Sequence, residues 1–196
     1  MAVEPRLLTA EELLAMPDDG MRHELIKGEL RTMSPPGGEH GDLAMTIGTH
    51  VHNFVRPRRS GRVFAAETGF LFRRHPDTVR APDVAFIRAE RIPPGGVPKG
   101  YIPVAPDLVV EVVSPGDTAA EVQEKVEEWL GFGVRAVWVV YPTGPRLQLH
   151  LPDGTSRMHG PEDEVDGGEA LPGFRMRLRD LLDPYGPESS ELCRPP

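Results

Sequence analysis

The sequence predicts an α/β sandwich, a central mixed sheet with helices on both faces. Two segments of the 196-residue chain, about 40–55 and 118–130, carry one-sided apolar stripes at helical spacing. Two others, 107–113 and 135–140, are nearly unbroken apolar runs, the signature of strands covered on both faces. The second helical segment directly follows the first of these strands, so it folds back over the sheet.

The elements follow in order. Thr9 and Glu12 form a capping box ahead of Leu13 and Leu14, and Pro17 closes this first short helix. HELIKGELRTM (23–33) reads as a hairpin about Lys27-Gly28. The loop SPPGGE precedes a helix from about His40 to Val55, with Leu43, Ile47, Val51 and Phe54 on one stripe that His40 and His50 share. Strands are expected at 62–66, 67–73 and 83–87, and the Pro/Gly-rich stretch 88–106 as a loop. After strand 107–113, Thr118 and Glu121 offer a second capping box, and Gly131 and Gly133 end that helix. Strand 135–140, a hairpin with its turn at Pro152-Asp153-Gly154, a solvated acidic loop (161–169), and a short strand with a helical turn complete the pattern. One domain is expected over 1–186, its core at about 40–151, with a flexible tail at 187–196.

Composition excludes several classes. The lone Cys193 rules out a disulfide scaffold and a cysteine-based zinc site. No run approaches the ~20 apolar residues of a membrane span. The N-terminus lacks the basic and apolar regions of a signal peptide, so a cytoplasmic protein is expected. The net charge is −8, yet residues 55–91 hold nine arginines against four acids. Arg56, Arg58, Arg59, Arg73 and Arg74 are therefore candidate phosphate contacts, with a solvated basic surface as the alternative.

The chemistry starts from Glu111, at the centre of LVVEVV. A carboxylate in a strand covered on both faces must find a cation, a metal or a proton. Asp83 opens the strand DVAFI. If strands 83–87 and 107–113 are neighbours, the two acids converge, and a divalent cation relieves their repulsion. Lys125 lies roughly 60° around the helix from Val122, on the border of the apolar stripe. It is the one cation of that helix aimed back toward the sheet. Gly-rich phosphate loops, Ser-His-Asp order and HExxH spacing are absent. His50 and His52 point their rings apart, unsuited to one metal.

PDVAFI, APDLVVEVVSPGD and EKVEEWLGFGVRAVWVVYP, with HELIKGEL and MSPPGGEH before them and LPGF after, resemble the Uma-type family of putative restriction endonucleases in the PD-(D/E)XK nuclease superfamily. The resemblance covers about residues 7–182. It implies a restriction-endonuclease-like α/β/α sandwich and a Mg²⁺-dependent endonuclease, with Mn²⁺ as a substitute, hydrolysing DNA phosphodiesters. It implies Asp83 and Glu111 as metal ligands, aided by the backbone carbonyl of Val112, and marks Glu24 and His40 as further site members. The usual lysine position two residues after the acid holds Val113. The resemblance is to members whose lysine has moved to the following helix, here Lys125. Cutting both strands needs two sites, so a homodimer is expected. The alternative is the same fold retained as an inert module for binding DNA or protein.

Overall fold

The computed structural model describes residues 6–183; the expected tail at 187–196 lies outside them. Helix α1 (Ala10–Leu14) opens with the reciprocal Thr9–Glu12 capping box. Strands β1 (Arg22–Ile26) and β2 (Glu29–Met33) turn at Lys27 and Gly28, which both take positive φ as a tight hairpin requires. The long helix α2 (Gly38–Arg58) is followed by β3 (Gly61–Ala65), β4 (Phe70–Arg73), β5 (Thr78–Arg80) and β6 (Val84–Arg88). Next come β7 (Leu108–Val112), α3 (Ala119–Phe132) and β8 (Ala136–Tyr141). The described chain ends with β9 (Arg146–His150), β10 (Ser156–His159), β11 (Glu164–Asp166), β12 (Arg175–Arg177) and the short helix α4 (Leu178–Leu181).

The central sheet has six strands in the order β10-β9-β8-β7-β6-β3. Its β7–β8 pair is parallel, joined by α3 as the crossover, and its other pairs are antiparallel, so the sheet is mixed as expected. Alternation at period two sorts its side chains between two cores. Val84, Phe86, Val110, Trp138 and Val140 meet Ile47, Val51 and Val55 of α2, together with Phe174 and Leu178 from the C-terminal elements. Ala85, Ile87, Val109, Val137 and Val139 meet Val126 and Trp129 of α3. Each central strand is therefore apolar on both sides, which explains the unbroken runs.

Several expectations need correction. The stretch between β4 and β6 contains a further strand, β5, too short to show a period. It recruits the N-terminal hairpin into a second sheet, ordered β2-β1-β5-β4. Gly131 lies inside α3, which ends only at Gly133, where φ is +103°. The acidic stretch 161–169 contains β11, held by pairing with β12 rather than by apolar alternation of its own.

At the opening of β7, Asp107 is fully buried. Its carboxylate accepts from the backbone N–H of Arg88 at 2.9 Å and meets Arg91 at 2.8 Å and Arg135 at 3.0 Å. This cluster pins β7 at its N-terminal end, the opposite end of the strand from Glu111.

Packing of α2 against the sheet carries a direct test. Replacing the fully buried Ile47 by Ala is expected to lower unfolding free energy by about 2–5 kcal/mol. Met45, 68% exposed on the same helix, should tolerate Ala within about 0.5 kcal/mol. Denaturant unfolding of both variants measures the contrast.

Candidate active site

The register of β6 against β7 pairs Val84 with Val110 and Ala85 with Val109. Extended by one pair, it sets Asp83 opposite Glu111 at the carboxyl end of β7. Crevices outside such strand ends are where open α/β sheets bind ligands. Glu24, His40, Asp83, Glu111 and Lys125 come from β1, α2, the residue before β6, β7 and α3, and all line one cleft of about 160 Å³. The sequence-predicted members are thus brought together by five separate segments.

Asp83 is 4% exposed. Its Oδ2 accepts from the Val112 N–H at 2.8 Å and faces His40 Nε2 at 3.1 Å. Its Oδ1 has a looser cationic neighbour, Arg22, at 3.9 Å. The hydrogen bond to Asp83 raises the His40 pKa above the usual imidazole value, outweighing partial burial. Glu111 shows the same division. Its Oε1 accepts from the Trp129 indole N–H at 2.7 Å, while Oε2 stands 3.5 Å from Lys125 Nζ. Burial pushes the Glu111 carboxyl up to about 7, with Asp83 and Glu24 adding to the rise and Lys125 opposing it. Glu111 in turn raises the pKa of Lys125 against the effect of burial.

These two acids suit a small divalent cation. Each has one oxygen fixed by a short neutral N–H bond and a second oxygen whose charged neighbour stands off. Among the described residues no group of three or more His, Cys, Asp or Glu is gathered for a metal. A site of two carboxylates completed by a carbonyl, water and substrate oxygens is the kind Mg²⁺ accepts.

Glu24 has a different place. Its Oε2 accepts from Arg80 at 2.7 Å and its Oε1 from the Ala81 N–H at 2.9 Å, so both oxygens are engaged by protein. Arg80, itself 5% exposed, also donates to Glu128 on α3. This ion chain ties the second sheet to α3 and fixes the backbone two residues before Asp83.

Sequence reading missed Arg22 in the cleft lining and the contact that Trp129 makes behind it. Arg22 lines the cleft on the same side of β1 as Glu24, where period-two alternation from Glu24 would have found it. Trp129 lies in the apolar core beneath α3, yet its indole N–H is aimed at Glu111. The candidate phosphate-binding arginines are not brought to the cleft. Arg56, Arg58 and Arg59 lie at the far end of α2, about 24 Å or more along its axis from His40. Arg58 is engaged there by the Phe54 carbonyl and ring. Arg73 ends β4, and Arg74 pairs with Glu11 and Asp77.

Residues 10–179 match the family described as Uma2, putative restriction endonuclease. The chain is also similar to the crystal structure of a putative nuclease belonging to DUF820 from Anabaena variabilis. That match has 22% identity and a TM-score of 0.77, and covers 89% of this chain and 97% of the other, a likeness of fold. No curated protein matches. Among the described residues, no helix is long and apolar enough to cross a membrane.

Two predictions follow from the charges. Arg80→Ala strands buried Glu24 without its cation and should cost about 3–5 kcal/mol in denaturant unfolding. Adding Glu24→Gln in the same chain should recover part of that loss. The second concerns Glu111, whose folded pKa is raised. Its favourable contribution to folding is present below its ordinary value near 4.5 and is lost as pH rises toward about 7. Glu111→Gln should therefore stabilise the protein more at pH 8 than at pH 5, read as the difference in unfolding midpoint from wild type.

Proposed function

This chain belongs to the Uma2 family of putative restriction endonucleases, and from that membership and the geometry of the cleft we propose that it hydrolyses DNA phosphodiester bonds with a divalent cation, Mg²⁺ or Mn²⁺. The observation that carries the reading is the convergence of two opposed carboxylates, a lysine and a histidine on one cleft. Asp83 and Glu111 would hold the cation through their less engaged oxygens, with the Val112 carbonyl close by. A bound cation supplies Lewis acidity toward water and phosphate.

The protein's own groups supply the rest. Lys125 faces the cleft with an ammonium kept protonated by Glu111, suited to orienting the attacking water and balancing charge on the phosphoryl oxygens. His40, held toward its protonated form by Asp83, gives a second donor at the cleft wall. Arg22 adds a guanidinium for a phosphate oxygen, a role matched to its planar fork of donors. Glu24 acts through Ala81 and Arg80 on the position of Asp83. In this reading, phosphate recognition at the reacting centre falls to Arg22 and Lys125. The distant arginines of α2 would engage flanking backbone, in a salt-dependent and sequence-indifferent way. A two-fold dimer would present one cleft to each strand.

The net charge of −8 and Val113 at the usual lysine position favour one second reading, a fold retained for binding without cleavage. Calorimetry with Mn²⁺ and cleavage of duplex DNA separate the two. The wild type should bind Mn²⁺ and cut DNA, and Glu111→Ala should lose both. Lys125→Met should keep Mn²⁺ binding but lower kcat by about 10²–10³-fold, the scale of one lost transition-state donor. DNA binding with neither metal uptake nor cleavage would establish the inert module instead.

A further inference from the structure

The indole of Trp129 is nearly fully buried, at 1% exposure, among apolar side chains. Its ring lies edge-on to Phe70 at 6.2 Å and tilted against Phe72 at 4.6 Å, and Phe72 stacks on Phe132 at 4.1 Å. Its one polar atom donates to Glu111 Oε1 at 2.7 Å. The protein's other tryptophan is a natural contrast. Trp138 is equally buried, yet its indole nitrogen has no hydrogen-bond partner. Burial in this core therefore does not by itself bring an indole to an acceptor.

Lys125 and Trp129 stand one helical turn apart on α3, so that a single helix face serves both oxygens of the same carboxylate. They serve them differently. The lysine is charged, exposed enough to move, and 3.5 Å away. The indole is neutral, short-bonded and locked in an aromatic wall. A neutral donor orients a carboxylate without repelling an incoming cation, which an ammonium or guanidinium at the same spot would do. Glu111 has three side-chain rotors and needs such a partner to keep its other oxygen, Oε2, facing the cleft.

We propose that Trp129 is the positioning residue for Glu111, holding Oε1 so that Oε2 is presented to a divalent cation. The inference rests on the reading of Glu111 as a metal ligand. Outer partners of metal-binding groups characteristically tune affinity about 10–100-fold. Trp129 thereby becomes a spectroscopic reporter of the cleft.

The test uses the full chain and Mn²⁺ or Mg²⁺ alone. Trp129→Phe keeps the aromatic wall and removes the N–H. It should weaken Mn²⁺ binding by about 10–100-fold in calorimetry, and should have no further effect on metal uptake in a Glu111→Ala background. In a Trp138→Phe chain, whose sole indole is Trp129, saturating Mg²⁺ should change the Trp129 emission, and Glu111→Ala should abolish the change. This second measurement does not require the Trp129 variant to fold. A wild type that binds Mn²⁺ through Glu111, with unchanged affinity in Trp129→Phe or an emission unmoved by Mg²⁺, overturns the positioning role alone. A wild type that takes up no Mn²⁺ overturns the reading of the cleft, and this inference with it.

Discussion

The structure is organised around one carboxylate placed where water is scarce. Glu111 sits at the end of a strand whose other residues are packed from both sides, and its ionisation is costly there. Everything near it serves to manage that charge. An indole fixes one oxygen, an ammonium attends the other, and the opposing Asp83 is oriented by a backbone N–H and an imidazole. The resulting balance favours neither a permanently neutral acid nor a closed ion pair. It leaves a carboxyl pushed up to about 7, chiefly by burial.

The same need explains how two sheets cooperate. The six-stranded sheet presents the two acids, while the smaller sheet reaches the cleft through Arg22 and the Glu24–Arg80 pair. Arg80 bridges from that sheet to Glu128, next to Trp129 on α3. The helix that carries Lys125 is thereby held by an ion chain as well as by packing. A small displacement of α3 would loosen Lys125 and Trp129 together, so its rotation is fixed twice, by apolar contacts beneath and by charge beside.

Much of this was legible in the residues. Glu111 stood out because its neighbours are apolar. Lys125 followed from helical phase, and Asp83 from its place at the start of a strand that pairs with β7. The two capping boxes fixed helix starts to the residue. What escaped reading depends on tertiary pairing. Strand β5 is three residues long and acquires its identity from β1 and β4. β11, inside an acidic stretch, is stabilised by β12 across it. Trp129 fits an apolar stripe so well that its polar atom was invisible to periodicity. The arginines were counted along the chain, but charge density in sequence does not say which end of a 21-residue helix faces the cleft.

Strand β7 is preceded by a carboxylate held by three arginines, and its penultimate residue is the carboxylate that faces the cleft. Only three residues, Leu108 to Val110, lie between Asp107 and Glu111. Because successive side chains alternate between faces, adding or deleting one residue in that interval would turn Glu111 away from α3 or tear Asp107 from its arginines. Length is therefore under tighter constraint here than side-chain identity. Descendants of this chain can exchange one branched aliphatic for another within the strand, but cannot change the number of steps between its two anchors.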